Sequence, residues 1–532
     1  MQWITVCWRR VKPALPYALA LAFTALVACL TRHHEMWRDE LQAWLLARDS
    51  ATPLQLLQNM RYEGHPGLWH LLLWPLAQFS PDPVWMQILH VTLAGLSALM
   101  VFRCSPFSWG VKLLLVLGYF FAYEWAVIAR NYAISVLLLF TVCALFKERW
   151  RWFPAIATAL LLLCHTNIFA CLLVGVLTVT LPIEFAVAYV GRYRQAERYL
   201  GRFLVGMGLI ACGLYSSIHQ TIPPPDSGFA CGWRWQWREG AADSAGEIVT
   251  RAYLPVAVNR LNFWNSNRFL DQPWENQGAP LIPRTGRFAC GLTLLALGSL
   301  FFLKRPWLLV PYWLGNLTLL TFYHVKYQGG LRHSGFLYLW FVVLLWMSFA
   351  YRPWISSHRS RDWLPAFWDR HRMKALVPLL AVQVWGAMVA VPVDWREPFS
   401  QASAAAQWLR SEYPDLSKFV VVGDRSEAVS SVVAYLELKR IYYPDRADFG
   451  SYVIWDQQRL RNAGRRIDSP VADLVRKTGK DAILILDHEL DGAGGNGKAI
   501  LLHQFRGAIV ADECYWIYRW PATTSGGAAT KS

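Results

Sequence analysis

Eleven apolar runs recur along the chain, near residues 14–30, 84–102, 111–128, 131–147, 152–165, 168–190, 203–222, 287–303, 307–323, 335–351 and 375–393. About 20 apolar residues cross a bilayer as a helix, so runs of this length and number predict a membrane domain. The basic residues cluster between them, at Arg9 to Lys12, Arg103 to Lys112, Lys147 to Arg151, Arg192 to Arg202, Lys304 with Arg305, and Arg352 to Lys374. If each run crosses once, every cluster falls on one side, which the positive-inside rule makes the cytoplasm. Pro66 to Phe79 tests this scheme, being apolar but only about 14 residues long. Counting it as a crossing would put every later cluster outside, so it is read as a helix lying on the outer surface. Residues 14–30 follow Arg9, Arg10 and Lys12 as in a signal peptide, but Leu30 to Trp37 offers no small-x-small cleavage site. They are read as an uncleaved first span with a cytoplasmic N-terminus.

Composition agrees. The 532 residues are 55% hydrophobic and 17% charged, against about 25% charged in soluble domains, and the mean hydropathy is +0.24. Twenty-nine Trp suit a chain with two water–lipid interfaces to anchor. A net charge of +16 would suggest nucleic acid in a soluble protein, but here the charge sits in short loops between apolar runs. The partners expected are therefore membrane lipids and no nucleic acid. The ten Cys are scattered without a C-x-x-C, which indicates neither a zinc site nor a disulfide framework; a Cys231–Cys514 bridge has no support beyond a shared side.

The expected fold is a polytopic α-helical membrane protein of about 11 transmembrane helices over 1–393, with a small C-terminal α/β domain outside the cytoplasm over 394–522. The outer face holds a first loop (31–83), a long loop (223–286) and a short loop (324–334). In the tail, the β-like runs Phe419 to Gly423 and Ala482 to Leu486 alternate with helix-like Ala402 to Ser411 and Val471 to Thr478. Residues 523–532 read as disordered. Cys231 to Trp237 alternates Trp with polar residues, which fits an interface anchor better than a sugar platform. Gly492 to Gly497 lacks the Lys-Ser/Thr ending of a phosphate cradle.

Polar residues converge on the outer ends of the runs. The first loop carries Arg38-Asp39-Glu40 and Arg61-Tyr62-Glu63-Gly64-His65-Pro66. Later ends add Arg130-Asn131-Tyr132, His165, and the short loop's Lys326, Arg332 and His333. A carboxylate, Asp39 or Glu40, suits general-base removal of a proton from an acceptor hydroxyl or amine. Arg130, Lys326 and Arg332 suit a departing phosphate, and His65, His165 and His333 suit hydrogen-bond or proton donation. No D-x-D and no Walker A occurs. No cofactor is indicated; a divalent metal is compatible with the carboxylates, but nothing calls for one.

Asp39-Glu40 followed by Glu63-Gly64-His65-Pro66, opening a Leu/Trp-rich helix, resembles the GT-C superfamily of membrane glycosyltransferases. More closely it is similar to the branch of protein O-mannosyltransferases and lipid A aminoarabinose transferases. Gly67 stands where that branch has a second Pro. Ala129-Arg130-Asn131-Tyr132 is similar to its A-R-x-Y, Leu163-Cys164-His165-Thr166 to its outer helix end, and Arg332-His333 to its R-Y. The resemblance covers about 30–170 well and 320–350 weakly. It implies that Asp39 is the base, that Glu40 and Glu63 shape the site, and that the arginines bind a polyprenyl-phosphate sugar. The implied reaction is inverting-type transfer to a lipid, glycan or protein acceptor at the periplasmic face of a bacterial inner membrane.

Two alternatives share this pattern. A non-catalytic transporter or assembly factor for polyprenyl-linked glycans would carry functional charges through the whole membrane depth, whereas here they crowd one face. A glycan polymerase or ligase would keep the chemistry and hold a lipid-linked oligosaccharide, with the α/β tail as a candidate holder.

Overall fold

The computed structural model describes residues 13–191, 193–228, 236–237, 239–258, 261–272, 279–327, 329–353, 363–464, 466–490 and 499–522. Arg9, Arg10, Lys12, Cys231, Trp233, Trp235, the Gly492–Gly497 loop and the 523–532 tail lie outside them. The chain is mostly helical with a small C-terminal sheet domain. Its helices are α1 (Leu15–His33), α2 (Arg38–Arg48), α3 (Pro53–Asn59), α4 (Leu68–Phe79), α5 (Val84–Cys104), α6 (Trp109–Val116) and α7 (Tyr132–Leu145). There follow α8 (Phe153–Cys164), α9 (Ile168–Gly191), α10 (Tyr193–Thr221), α11 (Ala241–Tyr253), α12 (Arg284–Leu300), α13 (Pro306–Val325), α14 (Leu331–Met347) and α15 (Trp363–Arg396).

Among the described residues six helices are long and apolar enough to cross a membrane: α1, α5, α9, α10, α14 with its continuation to Ala350, and α15. The other runs form helices that are shorter or more polar. The run at 111–128 breaks after Val116 into a π-helical turn at Phe120–Glu124. Those at 131–147 and 152–165 give helices of 14 and 12 residues. That at 287–303 gives 17 residues, and α13 is interrupted by Pro311 and carries Asn316. Packing explains the breaks: most of α7 is buried against neighbouring helices, and irregular backbone is tolerated where protein rather than lipid surrounds it. The central helix is α14, buried along its length apart from Arg332 and packed by α7, α9, α11 and α13. Pro66 to Phe79 forms the 12-residue α4, which packs on α2.

The tail builds a six-stranded sheet of β1 (Val420–Gly423), β2 (Ile441–Tyr443), β3 (Asp448–Gly450), β4 (Ala482–Leu486), β5 (Ile500–Phe505) and β6 (Tyr515–Trp520), in the order β3-β2-β1-β4-β6-β5. β1 runs parallel to β2 and β4, and the remaining pairs are antiparallel. Because side chains alternate along a strand, Val421, Ile483 and Ile485 meet α16 (Ala402–Glu412) and α17 (Ser426–Tyr435) on one face. Val420, Val422 and Leu484 meet Val471 and Val475 of α19 (Asp468–Thr478) on the other, with the short α18 (Gln457–Asn462) between. The domain is seated on the first loop. Gln42 of α2 makes both backbone bonds of Val453, donating to its carbonyl at 2.8 Å and accepting its N–H at 2.9 Å. Arg38 N–H donates to Glu513 at 2.9 Å and Met36 N–H to the Tyr435 hydroxyl at 2.9 Å.

One buried junction fastens the ends of the fold together. His34, just past α1, places Nε2 2.9 Å from Glu40 of α2 and Nδ1 2.9 Å from Asp394 near the end of α15, and Tyr123 donates to the same Asp394 at 2.9 Å. Burial would lower the pKa of His34, but Asp394 and Glu40 outweigh it and raise it well above 6.5. The stabilisation is therefore full below about pH 6.5 and is lost as pH rises toward the raised folded value. Removing one member of a buried charge cluster costs about 3–5 kcal/mol. His34→Gln is expected to lower the unfolding temperature by several degrees, and thermal melts above pH 6.5 should show an alkaline decline in the wild type that the variant lacks.

Candidate functional site

Adjacent residues on a helix point about 100° apart, so Asp39 and Glu40 in the first turn of α2 face different surroundings. Glu40 turns inward and is fully buried. Besides His34, its carboxylate accepts the N–H of Trp37 at 3.3 Å, closing the helix N-terminus, and the N–H of Ala129 at 2.5 Å. That last bond fixes the backbone beside Arg130. Asp39 turns outward, and its Oδ2 lies 2.7 Å from Arg130 and 2.6 Å from Arg332. Arg332 is presented by the first turn of α14, where His333 Nδ1 accepts the Gly330 N–H at 2.8 Å. The Arg332 guanidinium also lies over the Trp37 ring, 5.4 Å from its centre. Burial would raise the Asp39 pKa, but Arg332, Arg130 and Arg38 together hold it well below the usual carboxylate range.

These groups line a cavity of about 540 Å³, within the roughly 300–1,000 Å³ of small-ligand sites. One wall is apolar, with Trp69 of α4, Ile168 and Phe169 of α9, and Phe322 of α13. Another is cationic, with Arg130, Lys326 and Arg332. The roof comes from the C-terminal domain through Glu427, Ser430, Val453 and Trp455. A second recess of about 680 Å³ opens on the far side of Asp39 and Arg332, between Trp264, Gly330 and Val510.

Several expected residues converge here. Glu63 faces the cavity and accepts a 2.7 Å bond from Gln42; burial pushes its pKa up to about 7. His65 lines it with Nδ1 unpartnered, and burial, then Arg130, lowers its pKa to about 4, which keeps the ring neutral. Lys326, Arg332 and His333 line it too. Sequence reasoning missed His70, Gln42 and Trp455. His70 is buried in the lining with its Nδ1 unpartnered; its place one turn into the helix after His65-Pro66 was the available signal.

Three expected site residues do not line the cavity. Glu40, grouped with Asp39 as catalytic, has both oxygens engaged in the buried junction. Tyr132 is only 1% exposed and packs edge-on to His333 and Phe336, with centroids 6.0 and 5.8 Å away. His165 ends α8, with Nε2 2.9 Å from the Ser216 hydroxyl and its carbonyl accepting the Leu68 N–H at 3.0 Å, so it joins α4, α8 and α10. Among the described residues no group of three or more His, Cys, Asp or Glu is placed to hold a metal ion.

No protein-family model matches this sequence, and no curated protein is significantly similar to it.

Glu63 gives a direct check of the cavity's burial. A carboxyl raised from 4.5 to about 7 contributes stability below about pH 4.5 that is lost as pH rises through 7. Glu63→Gln should therefore melt a few degrees above the wild type at pH 8, with the difference vanishing toward pH 4.5 in a thermal-shift series.

Proposed function

We propose that this chain is an integral membrane glycosyltransferase of the GT-C kind, transferring a sugar from a polyprenyl-phosphate donor to an acceptor outside the cytoplasm. The single observation that carries the reading is a carboxylate, Asp39, held between Arg130 and Arg332 at the mouth of a cavity with one apolar and one cationic wall. The wall of Ile168, Phe169 and Phe322 offers the isoprenoid chain a surface, and Arg130, Arg332 and Lys326 offer its phosphate a charge-assisted grip.

Asp39 takes the proton of the acceptor hydroxyl or amine as that atom bonds to the anomeric carbon. The bond from that carbon to the phosphate oxygen breaks with inversion, and polyprenyl phosphate leaves on the arginines. At rest the two guanidiniums make Asp39 a weak base. Donor phosphate competes for the same N–H groups, and its arrival weakens their hold on Asp39, so proton affinity rises when donor is present. Glu40 acts at one remove, holding Ala129 and therefore Arg130 in place.

In this reading the eleven runs all cross, the N-terminus is cytoplasmic, and the C-terminal domain is periplasmic on a bacterial inner membrane. The positions of the other charges support it. Arg305 and Arg372 bond Ser348, a helix length of about 25 Å from Leu331, and Arg149 pairs with Glu184, deep in α9, whose first residues face the cavity. Basic loops thus collect at the end opposite the site, as the positive-inside rule requires of cytoplasmic loops. Between those ends α14 has no charged residue from Ser334 to Met347, which disfavours a transporter with charges through its depth.

The test uses protein in lipid nanodiscs with a panel of radiolabelled polyprenyl-phosphate sugars and envelope extracts. Asp39→Asn should cut transfer by about 100- to 10,000-fold while still binding donor. Arg332→Ala should weaken donor binding by about 10- to 100-fold. Undiminished transfer by Asp39→Asn would remove the catalytic assignment.

A further inference from the structure

The parallel part of the C-terminal sheet is ordered β2-β1-β4, so the chain leaves β1 toward β2 on one side and returns as β4 on the other. Open α/β sheets bind ligands above the carboxyl ends of their strands where the order reverses in this way. Here those ends deliver Asp424 after β1, Asp445 after β2, and Asp487-His488 after β4. A crevice of about 440 Å³ lies above them, flanked by Arg425, Arg459 and Arg466.

The lining decides the class of ligand. The N-terminus of α17, where such folds commonly take a phosphate, is already occupied. Asp445 Oδ2 accepts the Ser426 N–H at 3.1 Å and the Ser426 hydroxyl at 2.6 Å. The turn after β1 reads Gly423-Asp424-Arg425-Ser426, without a glycine-rich phosphate loop. The carboxylates Asp424, Glu427, Asp445, Asp468 and Glu489 outnumber the three arginines, which disfavours any anion. The described residues place no metal-ligating trio here either. What the crevice presents is hydrogen-bonding capacity of both signs. Asp445 is 7% exposed and its Oδ1 has no partner, and the buried Oδ1 of Asp468 has none. Sugar hydroxyls match this pattern, donating to carboxylate oxygens and accepting from guanidinium and imidazole N–H groups.

The crevice and the cavity around Asp39 are neighbours. Glu427 lines both, and Arg459 pairs with Glu427 and Asp445 where the two linings meet. The Arg459 guanidinium lies over the ring of Trp455, 4.6 Å from its centre, and Trp455 faces the Asp39 cavity.

We infer that this crevice is a saccharide subsite, holding the distal sugars of an oligosaccharide acceptor whose reacting end reaches Asp39 past Glu427. The inference rests on the transferase reading and makes the acceptor a glycan rather than a protein or a lone lipid. Purified full-length protein, fluorescently labelled on Lys, is applied to an array of defined oligosaccharides. Wild type and Asp39→Asn are expected to bind the same subset. Asp424→Asn and His488→Ala should bind it about tenfold more weakly, the loss of one charged hydrogen bond. The His488 side chain is 37% exposed, so its truncation leaves the fold intact, and matching unfolding temperatures check both variants. Equal binding by the crevice variants and wild type, or no oligosaccharide bound by wild type, overturns the subsite. The two readings fail separately, because Asp39-dependent transfer of labelled sugar to envelope extracts is measured in nanodiscs, independently of binding to the array.

Discussion

Glu40 is shut off from solvent and has three partners: the His34 ring, the Trp37 N–H and the Ala129 N–H. Through His34 it reaches Asp394, so α1, the first loop and the end of α15 meet at one buried cluster. Through Ala129 it sets the segment that presents Arg130. A buried carboxylate left without such partners costs several kcal/mol, so the chain has one low-energy way to pass this point. Its neighbour Asp39 inherits that rigidity and is aimed at the cavity by a helix turn that cannot rotate without exposing Glu40's unpaired charge.

Asp39 sits against Arg130 and Arg332, with Arg38 behind it tied to Asp512 at 2.6 Å and to Glu513 through its backbone. Asp39 answers two guanidiniums at once, and Lys326 adds a further cation to the lining. In the proposed mechanism an arriving phosphate is attracted by these cations and draws the same donors away from Asp39. The proposed base is thus quiet without donor and more basic with it. Neutral His65 and His70 and the raised Glu63 fit a cavity whose low polarity strengthens that competition.

Much of this was legible in the sequence because it depends on local pattern. The helical runs, the two strands at Val420–Gly423 and Ala482–Leu486, and the short α4 follow from periodicity and length. The outer-end polar residues Asp39, Glu63, His65, Arg130, Lys326 and Arg332 could be grouped because basic loops elsewhere assigned their side. The rest depended on partners far away in the chain. Asp394 is 360 residues from His34, and Val453 is 411 from Gln42, so neither Glu40's structural role nor the seating of the C-terminal domain on α2 had a sequence signal. Tyr132 and His165 carry the right chemistry at the right helix ends, but their side chains turn into packing, and rotation about a helix axis is not written in a short motif. The crevice at β1 and β4 needed the strand order, which only the folded sheet supplies.

In the proposed mechanism Asp39 and the donor's phosphate compete for Arg130 and Arg332. The most direct measurement is the affinity of polyprenyl phosphate for the wild type and for Asp39→Asn in nanodiscs at neutral pH. Asparagine keeps the shape but not the charge, so the account predicts binding several-fold to about tenfold tighter in the variant. Equal or weaker binding by Asp39→Asn would contradict it, because the phosphate would then be held by groups that Asp39 does not engage.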